Sequence, residues 1–197
     1  MGISKNAIVE ASIRILNRDG IEGLTMRSIA KELNIKAASL YNHIRSRQEL
    51  YGEISEYMSL RCVMPGNKDT LYDYLVEYYQ AYRGMLKTVR DSAAIFENSI
   101  PVTPRRMEFI RDVLEKLLDF GILPENLLTI SNLLNNYTLS FTADEVRYQN
   151  ASPEAKSALL DIPGPGGKPI ITGEIDFDRQ FLYGLQVLFA GAKKVKG

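Results

Sequence analysis

The sequence predicts an all-α fold, a three-helix N-terminal head joined to a larger α-helical bundle. Three observations carry this reading. Apolar residues recur every three to four positions through most of the 197-residue chain. Helix-start signals stand in front of those stretches: Ser4, Thr25, Ser46, Thr103-Pro104 and Asp176. No alternating apolar and polar run of useful length appears, and Ile170 to Ile175 is too short and too close to glycines to form a strand.

Ser4 suits the cap of a first helix over about 5–18, with Ile8, Ala11, Ile15 and Leu16 on one face and Gly20 closing it. Thr25 offers a hydroxyl to the orphan amides of a second helix, whose Ile29, Ala30 and Leu33 recur at helical spacing. Asn34 tolerates left-handed geometry and ends that helix, and Ile35 plugs the turn into the core. Ala37 to His43 make a short third helix. Ser46-Arg47-Gln48-Glu49 is a capping box opening a connector helix over about 46–62, and Pro65-Gly66 breaks the chain after it.

Helices follow over about 70–89, 91–98 and 103–120, the last with threonine at the cap and proline at its first position, and with Gly121 ending it. Pro124 starts a long helix to about 148. Residues 151–175 read as mostly irregular, with one turn of helix from Pro153 to Leu160 and a Pro163–Pro169 stretch that cannot be α-helical. Asp176 opens a last helix to about Lys194, and the Lys193-Lys194-Lys196 tail suits its C-terminus.

Two short helices joined by a tight turn form a helix-turn-helix. The second begins small-sided (Ala37, Ala38, Ser39) and continues polar and aromatic (Tyr41, Asn42, His43). That surface fits a major groove, about 12 Å wide, better than a core. Leu24-Thr25-Met26-Arg27-Ser28-Ile29-Ala30, Leu33-Asn34-Ile35, Ser39-Leu40-Tyr41-Asn42-His43-Ile44, Arg47 and Leu50 closely resemble the DNA-binding domain of the TetR family of bacterial repressors. Asn34 stands where the family usually has glycine. Weaker likeness to the C-terminal domain of the tetracycline-repressor branch lies in Arg90-Asp91-Ser92-Ala93, Phe120-Gly121 and Phe181-Leu182-Tyr183-Gly184-Leu185.

The resemblance implies a helix-turn-helix DNA-binding domain over 1–46 and an effector-binding and dimerisation domain over 47–197. It implies that Arg27 reaches a base edge, its fork suiting guanine, while Thr25, Ser39, Tyr41, His43 and Arg47 hold phosphates and fix register. Lys36, Ala37 and Ala38 sit at the helix start nearest the groove floor. Asn42 either reads adenine or faces solvent. The expected partners are a double-stranded, pseudo-palindromic DNA operator, a small-molecule effector and a second copy of the chain. In that architecture the long penultimate helix and the last helix pair with their mates, which selects Leu134, Phe141, Phe181, Leu185, Leu188 and Phe189 as interface residues. A helix apolar nearly all round supports this, since it must be buried.

Tyr78, Tyr82, Phe96, Met107, Asn132, Asn135 and Asn136 suit the wall of a cavity between helices, apolar with a few polar groups. Any one of them taken singly reads first as core, and only together do they suggest a cavity; the asparagines read equally as solvent-facing or interface residues. The tetracycline-repressor branch binds its drug as a magnesium complex through a pocket histidine. Here the sole histidine, His43, lies in the head, and Val63 and Phe96 occupy the matching positions. The expectation is therefore no metal, no cofactor, and an apolar or aromatic effector. The alternative reading is an activator, or a regulator governed by a protein partner, with no small-molecule pocket.

Composition agrees. With 45% hydrophobic and 24% charged residues the chain reads as an ordinary globular protein, and no 18-residue apolar run suggests a membrane span. The N-terminus lacks an apolar stretch ending in small residues, so no secretion signal and a bacterial cytoplasmic location are expected. The net charge is zero, but residues 1–50 carry eight basic against five acidic groups, a net of +3. One cysteine, Cys62, excludes an internal disulfide. Enzyme chemistry finds no footing. No Cys/His cluster exists, and Gly164-Pro165-Gly166-Gly167-Lys168-Pro169 lacks phosphate-loop spacing, with proline where a Ser or Thr should follow the lysine.

Overall fold

The computed structural model describes residues 3–66, 68–171 and 173–194, and among these every regular element is helical. Ser4 caps α1 (Lys5–Gly23) by accepting a hydrogen bond from the Ala7 amide at 3.2 Å. The regular helix ends at Gly20, as its sequence suggests, but one further turn runs on to Gly23 beyond a break where Gly20 takes φ +73°. Glycine is required there. A β-carbon would lie 2.9 Å from Asp91 Oδ2.

Thr25 and Ser28 bond reciprocally across the first turn of α2 (Met26–Glu32), Ser28 N to Thr25 Oγ1 at 3.0 Å and Thr25 N to Ser28 Oγ at 2.9 Å. Asn34 follows at φ +54°, the left-handed conformation its residue type allows. α3 is shorter than its sequence predicts, Ala37–Leu40, because no side chain caps it and residues 41–43 close as turns. α4 (Arg47–Ser59) starts with Ser46 Oγ accepting from Glu49 N at 3.0 Å. Ile8, Ile15, Leu16, Ile29, Leu40 and Ile44 are all fully buried in the head they share.

The body comprises α5 (Leu71–Leu86), α6 (Ser92–Glu97), α7 (Pro104–Asp119), α8 (Leu127–Gln149), α9 (Pro153–Leu160) and α10 (Phe177–Lys194). α8 is the hub, packed against α5, α6, α7 and α10, while α4 leaves the head and runs against α6 and α7. Pro124 starts a 3-10 turn over Pro124–Asn126 rather than α8 itself. Pro104 occupies the first turn of α7, but Thr103 makes no cap; Glu56 of α4 accepts both bonds from the Arg105 amide, at 2.9 and 3.1 Å. Asp176 caps α10 through the Arg179 amide at 2.9 Å. Lys193 and Lys194 fill its last turn, and Lys196 lies outside the described residues.

The glycine-proline segment folds back on itself. Pro163 and Pro169 form an isolated bridge around one 3-10 turn, Pro165–Gly167. Where head meets body, Asp91, itself at φ +59°, accepts from the Ile21 amide at 2.7 Å, and the Arg90 amide donates to Asn17 Oδ1 at 3.0 Å. An ionic cluster, buried at Arg83 and Glu145 and exposed at Asp178, ties α5 to α8 and α10: Arg83 Nε donates to Glu145 Oε2 at 2.8 Å and Arg83 Nη1 to Asp178 Oδ1 at 2.7 Å.

Candidate nucleic-acid interface and ligand cavity

The head sorts its charges by side. Arg14 and Arg18 are bound to Glu32, and Lys5 to Glu49 and Glu53. Around the turn and α3 the pattern reverses. Among the described residues, the side chains of Arg27, Lys36, Ser39, Tyr41, Asn42 and His43 make no hydrogen bond or ion pair, and all are exposed except half-buried His43. Ala37 and Ala38 add no bulk beside them. Leu40 is fully buried while Tyr41 next to it is 53% exposed, so the inward anchor and the outward aromatic are adjacent residues. Two expected phosphate contacts are otherwise engaged. The Thr25 hydroxyl is held in its cap, and Arg47 Nε donates to Tyr51 Oη at 2.6 Å with its guanidinium over that ring.

In the body, a cavity of about 440 Å³ lies between α4, α5, α6, α7 and α8. Ser59, the last residue of α4, lines it, as do Tyr78, Tyr79 and Tyr82 of α5 and Phe96 of α6. Phe109, Ile110 and Val113 of α7 face it, and α8 contributes Ser131, Asn132, Asn135, Asn136 and Leu139. Its polar groups are partly linked: Tyr82 Oη donates to Asn135 Oδ1 at 3.2 Å, and Asn135 Nδ2 to Asn136 Oδ1 at 3.3 Å. Burial holds the phenols of Tyr78, Tyr79 and Tyr82 well above the usual tyrosine range. Tyr78 and Tyr82 serve there as neutral donors, to the Phe109 carbonyl and to Asn135.

Six of the eight pocket residues read from the sequence therefore converge: Tyr78, Tyr82, Phe96, Asn132, Asn135 and Asn136. Val63 does not. α4 stops at Ser59 instead of about residue 62, leaving Val63 in irregular chain, 85% exposed, on a separate cleft beside Tyr57, Cys62 and Met85. Met107 also points away, 52% exposed, because Arg106, Phe109, Ile110 and Val113 set the inward face of α7. Arg106 lies on the same wall outside the residues the sequence singles out, although its spacing of three and seven to Phe109 and Val113 places it on the apolar stripe. Ser59 and Ser99 gave no comparable signal.

Two family models match the chain: "Bacterial regulatory proteins, tetR family" over residues 8–54, and "Tetracyclin repressor-like, C-terminal domain" over residues 64–196. Their junction falls along α4 and the chain just after it. The chain belongs to the TetR family. It is a DNA-binding transcriptional regulator of that family.

Among relatives, the tetracycline repressor protein class A from transposon 1721 of Escherichia coli is 24% identical over 201 residues, covering 98% of this chain and 91% of that protein. The Streptomyces coelicolor TetR-family protein ActR, solved in complex with actinorhodin, superposes with a TM-score of 0.83 at 22% identity over 98% of both chains. BioQ, solved with its double-stranded DNA operator, gives 0.72 at 24% identity over 98% and 99% of the two chains.

Within this TetR-family chain the residues expected at a subunit interface divide. Leu134, Phe181, Leu185 and Phe189 are buried inside the single protomer, at 0, 0, 0 and 1% exposure, so they belong to its own core, Phe189 against Tyr72 and Tyr79 of α5 and against Phe120. Phe141 and Leu188 are half-buried. α10 has two apolar faces, and the outward one carries Leu182, Tyr183 and Val187, near 36, 67 and 52% exposure. Among the residues lining the cavity the one carboxylate is Glu97, exposed at the rim, and none is a histidine. No helix among the described residues is long and apolar enough to cross a membrane.

Proposed function

We propose that this TetR-family regulator is a repressor that acts as a homodimer on a pseudo-palindromic operator and is released when a small apolar or aromatic effector fills the body cavity. The observation that carries the reading is Ser59. α4 begins in the head at Arg47 and ends on the cavity wall, so an occupant presses directly on the helix that carries the head. The volume, about 440 Å³, falls in the range of small-molecule sites. ActR in complex with actinorhodin and BioQ with its operator are relatives in fold that support the two halves of this proposal.

Residues 1–46 read the DNA and 47–197 bind effector and partner. Arg27 contacts a base edge; Lys36, Ala37, Ala38 and Asn42 line the groove; Ser39, Tyr41 and His43 position the phosphates, with Thr25 and Arg47 at their flanks. The partner covers the outward apolar face of α10, Leu182, Tyr183 and Val187, with half-buried Leu188 at its edge. Two recognition helices then enter successive major grooves about 34–36 Å apart. Near-complete switching requires the effector to prefer the released state by about 10⁴-fold. The regulator works in the bacterial cytoplasm, with no cofactor and no catalytic step.

Selection of bound DNA from a random pool tests this. A two-fold symmetric motif, abolished by Tyr41→Ala, is the expected result. Weak, sequence-indifferent binding with a steep salt dependence would sink it.

A further inference from the structure

The cavity wall holds a cation with no counter-charge. Arg106 of α7 is only 9% exposed. Its Nη1 donates to Ser99 Oγ at 2.7 Å and to the Ile100 carbonyl at 3.4 Å, both neutral acceptors. Among the described residues, no carboxylate oxygen lies within 4.0 Å of its nitrogens. The chain's other buried arginine is treated differently: Arg83 has both Glu145 and Asp178. So is the neighbour Arg105, which pairs with Glu108 at 2.9 Å. A buried charge is costly unless paired, and the desolvation of Arg106 shows as a pKa lowered by burial.

The acids that approach Arg106 do not neutralise it. Glu56 turns both oxygens to the Arg105 amide. Glu97 stands at the exposed rim of the cavity. The Phe96 ring, 5.0 Å from the guanidinium carbon, gives a cation–π contact but no charge. A second group points the same way. Ser59 is among the residues lining the same cavity, and its Oγ is fully buried with no hydrogen-bond partner. Buried polar atoms are almost always satisfied. Guanidinium and free hydroxyl together form the donor set an oxyanion takes, beside the aromatic walls of Tyr78, Tyr82, Phe96 and Phe109.

We propose that the effector is an anion, a small aromatic acid whose carboxylate pairs with Arg106 and accepts from Ser59. The proposal rests on the reading of this cavity as the effector site. It explains why a mostly apolar pocket keeps a charge on its wall: the occupant supplies the missing half of an ion pair. Because Ser59 ends α4, the carboxylate bridges the connector helix to α7. Binding energy at the anion is therefore delivered to the helix that carries the head.

The test uses the full chain and acid–amide pairs of graded size: benzoate and benzamide, 2-naphthoate and 2-naphthamide, anthraquinone-2-carboxylate and its amide. Calorimetry on the unaltered protein is expected to show an acid bound at least about ten-fold more tightly than its amide, as a charge-assisted pair requires. Arg106→Gln should erase that ratio and Arg106→Lys restore part of it. Equal or tighter binding of the amides would overturn the anion assignment while leaving the cavity as the effector site. Failure of every acid and every amide to bind would overturn both.

Discussion

Replacing Glu145 with alanine should destabilise this protein by about 3 kcal/mol. Glu145 is 1% exposed and serves three donors: Arg83 Nε at 2.8 Å on one oxygen, Lys87 and Gln149 on the other. Its loss strands Arg83, which is 6% exposed. Breaking a buried pair by removing one partner costs about 3–5 kcal/mol. The low end applies here because two partial replacements remain. Asp178 still accepts from Arg83 at 2.7 Å, but its side chain is 82% exposed, so solvent screens it. The faces of Phe181 and Phe141 lie 5.0 and 5.5 Å from the guanidinium carbon, each contributing on the order of 0.5–1 kcal/mol.

For a chain of this size, 1 kcal/mol corresponds to about 2–4 °C, so Glu145→Ala should lower Tm by roughly 6–12 °C. Circular dichroism melts at fixed protein concentration measure it, the concentration held constant because self-association shifts apparent stability. The paired replacement Arg83→Met with Glu145→Leu should recover most of the loss, since a well-packed apolar pair often matches a buried ionic one. A single-variant loss under about 1 kcal/mol, the scale of surface pairs, would refute the reasoning. So would a double variant no more stable than Glu145→Ala.

Two further outcomes follow from packing and burial. An unfolded tyrosine releases its proton near pH 10.0, whereas Tyr78, Tyr79 and Tyr82 hold theirs to higher pH. The native state then binds more protons, so the tyrosine contribution is full below that pH and is lost above it, by about 4 kcal/mol per pH unit for three phenols. Tyrosinate absorbance recorded with far-ultraviolet dichroism checks this, and release of all phenols with helix content unchanged would contradict it. Gly184→Ala in α10 should cost about 1–3 kcal/mol, because its β-carbon would overlap the Tyr137 ring and hydroxyl. Gly84→Ala, with open space around it, should instead gain up to about 1 kcal/mol; equal melting shifts for the two would count against that account.

Much of this architecture is written in local signals. Ser4, Thr25, Ser46 and Asp176 mark helix starts through bonds within a turn, and Asn34 marks a positive φ by its residue type. Six cavity residues were legible because aromatic and amide side chains shared inward faces of α5, α6 and α8. What escaped depends on rotation and distance. A helix with two apolar faces does not declare which one its own chain covers, which is why Phe181, Leu185 and Phe189 read as partner-facing yet lie in the protomer core. Val63 turned on where α4 ends, and Met107 on the rotational phase of α7. The Arg83–Glu145–Asp178 cluster joins residues 62 and 95 positions apart, beyond any local pattern.

α8 stands between two jobs. One side carries Ser131, Asn135 and Leu139 to the cavity, and the other packs Tyr137 and Phe141 against Phe181 of α10. A substitution that reshapes the cavity from this wall also disturbs the seam that fixes α10. The pocket's chemistry can drift more cheaply on its opposite walls, α5 to α7, Tyr79 excepted because it packs against Phe189 of α10. Libraries meant to retune what the cavity accepts belong at Tyr78, Phe96, Arg106 and Phe109, with α8 held constant.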